Sequence, residues 1–129
     1  MPRYACPPEG SRRRRIPLHL DSGAPDVERG QSDNRLSGEY KTKTWNHYTG
    51  EDGRLFSGIW ECTPGKVPID YKEWEFCHFI EGKAVLTNED GRKWTLKAGD
   101  GFIIPPGFKG TWETVEKVRK HYVILTAKP

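Results

Sequence analysis

The chain has 129 residues, which is the length of one domain, because a single hydrophobic core usually closes within about 100–200 residues. Its 21 Lys and Arg stand against 18 Asp and Glu, and this net charge of +3 is too balanced to indicate a nucleic-acid partner. No apolar stretch approaches the roughly 20 residues that cross a bilayer, so no membrane span is expected. Five residues each of Trp, Tyr and Phe, with 14 glycines, favour an all-β fold.

Residues 1–35 are predicted to form a flexible basic tail. They hold five prolines and seven arginines but few large apolar side chains, so they cannot bury enough surface to become ordered. The run Arg12–Arg15 is interpreted as a solvated arm, with contact to an anionic surface or nucleic acid as the alternative. The remaining residues, 36–129, are predicted to form the folded domain.

From residue 36 onward, short runs rich in aromatic and β-branched residues are separated by Gly or Pro, a pattern typical of a sandwich or barrel. The last run is apolar on both faces, with Tyr122 and Ile124 on one side and Val123 and Leu125 on the other. We therefore expect a second subunit to cover the outer face, giving a homodimer. The predicted strands are Lys41–Tyr48, Leu55–Thr63, Glu75–Ile80, Lys83–Thr87, Lys93–Leu96, Gly101–Ile104, Gly110–Thr114 and Val118–Thr126.

The three cysteines, Cys6, Cys62 and Cys77, form neither a disulfide framework nor a C-x-x-C zinc spacing. At least one of them must stay unpaired. This usage indicates a reducing compartment, so we expect the protein to be cytoplasmic.

Two linked motifs, Glu75-Phe-Cys-His-Phe-Ile-Glu-Gly82 and Gly99-Asp-Gly-Phe-Ile-Ile-Pro-Pro-Gly107, resemble the two signatures of the cupin superfamily. A wider match, from Gly58–Gly65 to Val118–Tyr122, is similar to the small cupins related to (S)-ureidoglycine aminohydrolase and the ethanolamine-utilisation cupins. The resemblance covers about residues 36–126. It implies a double-stranded β-helix, or jelly-roll barrel, that holds a ligand or metal at its mouth.

The resemblance also implies metal-ligand positions, one for a carboxylate and three for histidines. The carboxylate position falls on Glu75, and one histidine position falls on Gly110. The other two histidine positions fall on Ile69 and Tyr71 or, in a looser register, on Pro68 and Asp70, and none of these residues is histidine. A transition metal normally takes about three or four protein donors, so we expect no metal and no cofactor. Two weaker alternatives remain: a rebuilt metal site from Glu75, Cys77 and a distant histidine, or a carboxylate and phenol site at Asp70, Tyr71 and Glu75.

Glu75, Tyr71 and Lys120 are the candidate catalytic residues. A carboxylate that faces an aromatic barrel must be paired, solvated or protonated, so Glu75 is either a general acid or base or simply a satisfied former ligand position. Tyr71 would donate to Glu75 or to a bound oxyanion. If its strand face points inward, Lys120 would pair with Glu75 or with an anionic substrate.

Trp60, Cys77 and Trp112 are the candidate ligand-binding residues. Trp112 shares a face with Gly110, where an absent imidazole could leave room for the indole to stack on a planar ligand. Core packing is the more common role of such tryptophans, and a buried thiol such as that of Cys77 is usually inert. Because side chains alternate along a strand, His78 is expected on the face opposite Glu75 and Cys77.

These residues lead to the hypothesis of a metal-independent cupin that binds a small polar or anionic molecule in its barrel. The alternatives are a metal-dependent enzyme of the ureidoglycine aminohydrolase type, a metal-free acid/base enzyme, and a structural dimer whose basic tail engages an anionic partner.

Overall fold

The computed structural model describes residues 23–31 and 39–127, and these residues form strands and turns without a helix. The predicted all-β class is therefore confirmed. Within these two ranges no helix is long and apolar enough to span a membrane. The strands are β1 (Asp26–Gln31), β2 (Glu39–Thr49), β3 (Leu55–Cys62), β4 (Gly65–Asp70), β5 (Trp74–Asn88), β6 (Lys93–Lys97), β7 (Gly101–Ile104) and β8 (Lys109–Leu125).

All eight strands join one antiparallel sheet that is built around β5 and β8. Both central strands serve two neighbours: β8 pairs with β4 through its first half and with β3 through its second, while β5 pairs with β7 and then with β6. Strands β1 and β2 extend the sheet beyond β3. A sheet that changes partners along its central strands folds over on itself, which produces the jelly-roll barrel.

The two central strands are longer than the sequence predicted. Lys83–Thr87 continues Glu75–Ile80, and Val118–Thr126 continues Gly110–Thr114 through Leu125. The predicted break between Ile80 and Lys83 is wrong, because the β5–β8 ladder passes through this point with shifts in register. Gly82 has a φ of +93°, and a Cβ there would meet the carbonyl of Lys117. The glycine therefore permits close packing at a bend rather than a hairpin.

Two strands were missed, and one of them corrects the predicted tail. Residues 26–31 form β1, which pairs with β2 although its sequence is almost entirely polar, so backbone hydrogen bonding rather than apolar burial positions it. The rest of the predicted tail, residues 1–22 and 32–35 with Arg12–Arg15, lies outside the described residues. Strand β4 was missed because Pro68 interrupts its pattern. Among the described strands β4 pairs only with β8, and an edge strand tolerates proline.

The apolar core lies among β5, β6, β7 and β8. Its largest fully buried side chains include Phe79, Ile104 and Val118, and the rings of Phe79 and Phe102 meet edge to face at 5.3 Å. Beside the core, a cavity opens between β1–β4 and the inward face of β8, and Trp112 belongs to both the core and the cavity lining.

His78 and His121 lie on the outer face of the sheet, so the expected orientation of His78 is confirmed. They are cross-strand partners, and their rings stack with centroids 6.3 Å apart. Burial lowers the pKa of His121, and the neighbouring His78 and His47 lower it further. The buried Nδ1 atom of His121 has no hydrogen-bond partner among the described residues.

Acidification should therefore destabilise the fold through His121. Because its pKa is lower in the folded than in the unfolded chain, the unfolded state binds the proton more readily. Stability should be fully present above the unfolded value of about 6.5 and fall as the pH drops below it. Urea unfolding between pH 5 and 8 should show this slope in the wild type and a shallower slope in His121→Gln. An equal slope in the two proteins would contradict the assignment.

Candidate functional site

The barrel contains a cavity of about 620 Å³, within the range of about 300–1,000 Å³ that is usual for small-molecule pockets. Five of the six sequence candidates line it: Trp60, Tyr71, Glu75, Trp112 and Lys120. They come from β3, the β4–β5 connection, β5 and β8, whose alternation directs these side chains inward.

Glu75 is the centre of a buried polar cluster at the inner end of the cavity. Only 3% of the residue is exposed. The Tyr71 hydroxyl donates to Oε1 at 2.8 Å, and the Lys120 ammonium donates to Oε2 at 3.2 Å. Each carboxylate oxygen therefore has its own donor, which offsets the cost of burying this group.

Lys120 is buried as deeply as its partner, and its ammonium is surrounded on several sides. Nζ lies 3.3 Å from Cys77 Sγ and 4.6 and 4.8 Å from the ring centroids of Trp60 and Trp112. Burial is the largest single effect and lowers the pKa of Lys120, but Glu75, Cys77 and Tyr71 together outweigh it and raise the pKa overall. The side chain thus stays a cation, stabilised by one ion pair and two indole faces.

Tyr71 and Cys77 stay protonated and neutral because burial disfavours their charged forms. Burial is the main cause that raises the pKa of Tyr71 above its ordinary range, while Lys120 opposes the change. Burial likewise raises the pKa of Cys77 to about 12, again against the effect of Lys120. Cys77 is fully buried behind Lys120 rather than on the cavity wall, so its geometry fits the inert thiol better than a nucleophile.

Trp60 and Trp112 lie at the boundary between the cavity and the apolar core. Their rings meet edge to face at 5.7 Å, and Trp112 Nε1 donates to Thr114 Oγ1 at 2.9 Å. The space expected beside Gly110 does not exist, because a Cβ at this position would run into the carbonyl of Thr87. Trp112, which is 4% exposed, is therefore held by packing, and Trp60 carries more of the open wall.

Sequence reasoning missed three acidic residues of the cavity. Asp26 and Glu28 project from β1, and Glu73 lies just before β5. The alternation of Asp26 and Glu28 was a weak signal, hidden because this segment was assigned to the tail. Near them, the Tyr122 hydroxyl donates to Asn46 Oδ1 at 2.9 Å, and burial, followed by Glu75 and Asp26, raises the pKa of Tyr122 to about 12.

The residues at the family's ligand positions do not fit a transition metal. Both oxygens of Glu75 are engaged by Tyr71 and Lys120, and an ammonium 3.2 Å from the carboxylate occupies the side from which a cation would be bound. Ile69 and Gly110, which are cross-strand partners, supply no donor side chain. A metal ion here would have to displace a covalently attached cation.

Neither alternative constellation assembles completely around Glu75: Tyr71 contacts Glu75, but Asp70 and the histidines do not join them. Asp70 is exposed and pairs with Lys72 at 3.2 Å and with Lys109 at 4.0 Å. His78 and His121 lie on the other face of the sheet. Across residues 23–31 and 39–127, no three His, Cys, Asp or Glu side chains are grouped so that they could hold a metal ion.

A folded-over antiparallel barrel with a cavity that ends at a buried carboxylate defines the protein as a cupin. The EutQ-like cupin domain model matches residues 49–122. The chain therefore belongs to the EutQ-like cupin family, as the resemblance to the ethanolamine-utilisation cupins predicted; the link to ureidoglycine aminohydrolase stays a prediction. No curated protein matches the chain.

Solved structures show the same fold. A protein of unknown function from Pseudomonas syringae pv. tomato superposes with a TM-score of 0.65 at 24% identity over 76% of this chain and 43% of that one, so the chain spans less than half of that protein. The EutQ protein of Clostridium difficile gives 0.61 at 24% identity, over 70% and 71% of the two chains. A putative ethanolamine utilization protein Q from Salmonella typhimurium gives 0.61 at 21% identity, over 81% and 97%. At these identities the likeness concerns the fold alone.

Proposed function

We propose that this cupin binds a small polar molecule in its barrel without a metal ion. The observation that supports this most is the cavity of about 620 Å³ that leads to the Tyr71–Glu75–Lys120 cluster. Ligand pockets typically combine apolar walls with a few convergent polar groups. Here Trp60 and Phe56 supply apolar wall, while Thr42 and Thr44 add polar groups to those of the cluster.

The protonation states of the cluster favour binding over acid/base catalysis. A general acid or base works best when its pKa lies near the operating pH. The pKa values of Tyr71 and Lys120 are raised and therefore lie further from neutrality than usual. Both groups already donate to Glu75, so a substrate would have to break a buried hydrogen bond before either could act on it.

The compartment is part of the same proposal. Cys62 and Cys77 are free and buried, which supports a reducing environment such as the cytoplasm.

The proposal predicts that obstructing the cavity abolishes binding. Thr44 lines the cavity wall on β2, whereas Thr95 is exposed on β6. A thermal-shift screen of polar metabolites with the full chain should yield at least one ligand, confirmed by calorimetry. Thr44→Phe should lose that ligand and Thr95→Phe should retain it. A ligand that binds both variants equally, or a comprehensive screen without any ligand, would overturn the proposal.

Metal independence predicts that chelation has no effect. The protein purified without chelator should contain no stoichiometric transition metal by mass spectrometry, and EDTA should leave its thermal midpoint and ligand affinity unchanged. Stoichiometric manganese, iron, nickel or zinc that disappears in Glu75→Gln would instead support the metal-dependent alternative, including hydrolysis of a ureido substrate.

The homodimer is proposed on the basis of the outer sheet face. Ile103, Phe76 and Val123 are paired across β7, β5 and β8 and form an apolar row, in which Ile103 is 56% exposed and Phe76 is 37% exposed. We expect sedimentation to give a dimer, and Ile103→Glu to shift the mass toward the monomer without unfolding it. Val115→Glu, at an exposed apolar side chain on another part of β8, is the control. A wild-type monomer would contradict this proposal.

A further inference from the structure

The cavity has a charge opposite to that of the whole chain. Four carboxylates line it, and they belong to Asp26, Glu28, Glu73 and Glu75, against Lys120 as the single basic residue of the lining. The Glu75–Lys120 ion pair is internally neutral, so the other three carboxylates leave the cavity with a net charge of −3. The chain as a whole has a net charge of +3.

The three carboxylates are free to meet a ligand. Described ion pairs engage the acidic side chains of Asp52, Glu61, Asp70 and Glu75, but not those of Asp26, Glu28 or Glu73. Asp26 and Glu28 are exposed, and Glu73 is half-buried, which places them toward the mouth. A cleft lined by one sign of charge concentrates ions of the other sign.

The inner end of the cavity offers an anion no compensating site. Lys120 donates to Glu75 and Cys77 and faces two indoles, so its ammonium is already occupied. An anionic ligand would pass the acidic mouth and then have to break this buried pair. The lining also includes Tyr40 and Phe56, whose rings suit an alkyl chain and attract ammonium groups through their faces.

We propose that the ligand of this cavity is a small organic amine that carries at least two ammonium groups on an alkyl body. This inference rests on the proposed binding function and selects, within its polar class, a cation rather than an anion. The cavity supplies the site, and the three carboxylates determine the charge of what it accepts.

A matched four-carbon series tests the sign of the charge. Calorimetry on the full chain at low ionic strength should show that 1,4-diaminobutane binds at least about tenfold more tightly than 1,4-butanediol, and that succinate does not bind. Because the attraction is electrostatic, raising the salt concentration should weaken binding of the diamine. Thr44→Phe should abolish it, which locates the diamine in the cavity.

Single carboxylate variants locate the ammonium contacts. Glu73→Gln and Asp26→Asn should each weaken binding of 1,4-diaminobutane by about fivefold, the effect expected for a partly exposed ion pair. Glu89→Gln removes an exposed charge from the turn after β5 and should change nothing. The thermal midpoints of the ligand-free variants should match the wild type, because none of these carboxylates makes a described ion pair.

The outcomes separate this inference from the proposed function. If the diol or succinate binds in the cavity at least as tightly as the diamine, or if none of the three binds while the metabolite screen yields another ligand without ammonium groups, the inference is wrong and the binding function stands. The inference is also wrong if Glu73→Gln and Asp26→Asn leave the affinity for the diamine unchanged. If the screen yields no ligand at all, both fail together.

Discussion

Replacing Lys120 with methionine should lower the free energy of unfolding by about 3–5 kcal/mol, because it removes one partner of a buried ion pair and leaves the other without its charge. Glu75 is 3% exposed and would retain only the hydrogen bond from Tyr71. Methionine is unbranched and only one heavy atom shorter than lysine, so it keeps most of the packing against Trp60 and Trp112 and the loss reports chiefly on the charge. Urea unfolding followed by circular dichroism measures it.

A second variant and a control separate charge from packing. The double variant Glu75→Gln/Lys120→Met removes both charges and should recover a large part of the loss, since a buried ion pair replaced as a unit costs little. Lys97→Met, at an exposed lysine of β6, should stay within about 0.5 kcal/mol of the wild type. If Lys120→Met costs no more than Lys97→Met, the Glu75–Lys120 pair does not hold the barrel in the way described.

Gly82→Ala is expected to cost about 3 kcal/mol or more. The substitution would place a Cβ against the backbone carbonyl of Lys117 at a φ of +93°, so both the backbone angle and the packing of β5 on β8 would have to change. Strand β8 supplies the inward-facing Lys120 just beyond this contact, so a shift here also disturbs the cluster.

Gly91→Ala is the matched control for this substitution. Gly91 has a similar φ of +83°, but a Cβ there would meet no atom within 4 Å. Gly91→Ala should therefore lower the free energy of unfolding by only about 1 kcal/mol, which is the cost of placing alanine at a positive φ. Comparable losses in the two variants would show that the close approach of Gly82 to Lys117 contributes nothing beyond the backbone angle.

The barrel was predictable because its signals are local. Aromatic and β-branched runs separated by turn residues define most of the strands, and the paired motifs around Glu75 and Gly99–Gly107 identify the superfamily. What could not be predicted depends on neighbours. A polar segment such as β1 becomes a strand only because β2 offers it backbone partners. Gly82 lies at a close packing contact rather than in a hairpin turn because the backbone of Lys117 lies opposite it.

The candidate site divides in the same way. Alternation places Glu75 with Cys77 on one face of β5 and Lys120 with Tyr122 on one face of β8, but it does not say which face of β8 points inward. The same alternation says nothing about depth, so it could not tell that Cys77 lies behind Lys120 or that Gly110 leaves no room for a ligand. The acidic mouth escaped notice because Asp26 and Glu28 reach the cavity only through pairing of β1 with β2.

The positive charge beside Glu75 belongs to the polypeptide itself. A metal ion must be taken up from solution, so the fraction of a metalloprotein that holds its metal varies with growth conditions and with chelators. The ammonium of Lys120 is part of the chain, so every molecule carries one. The charge of Glu75 is therefore balanced by the same chain in every folded copy of this barrel.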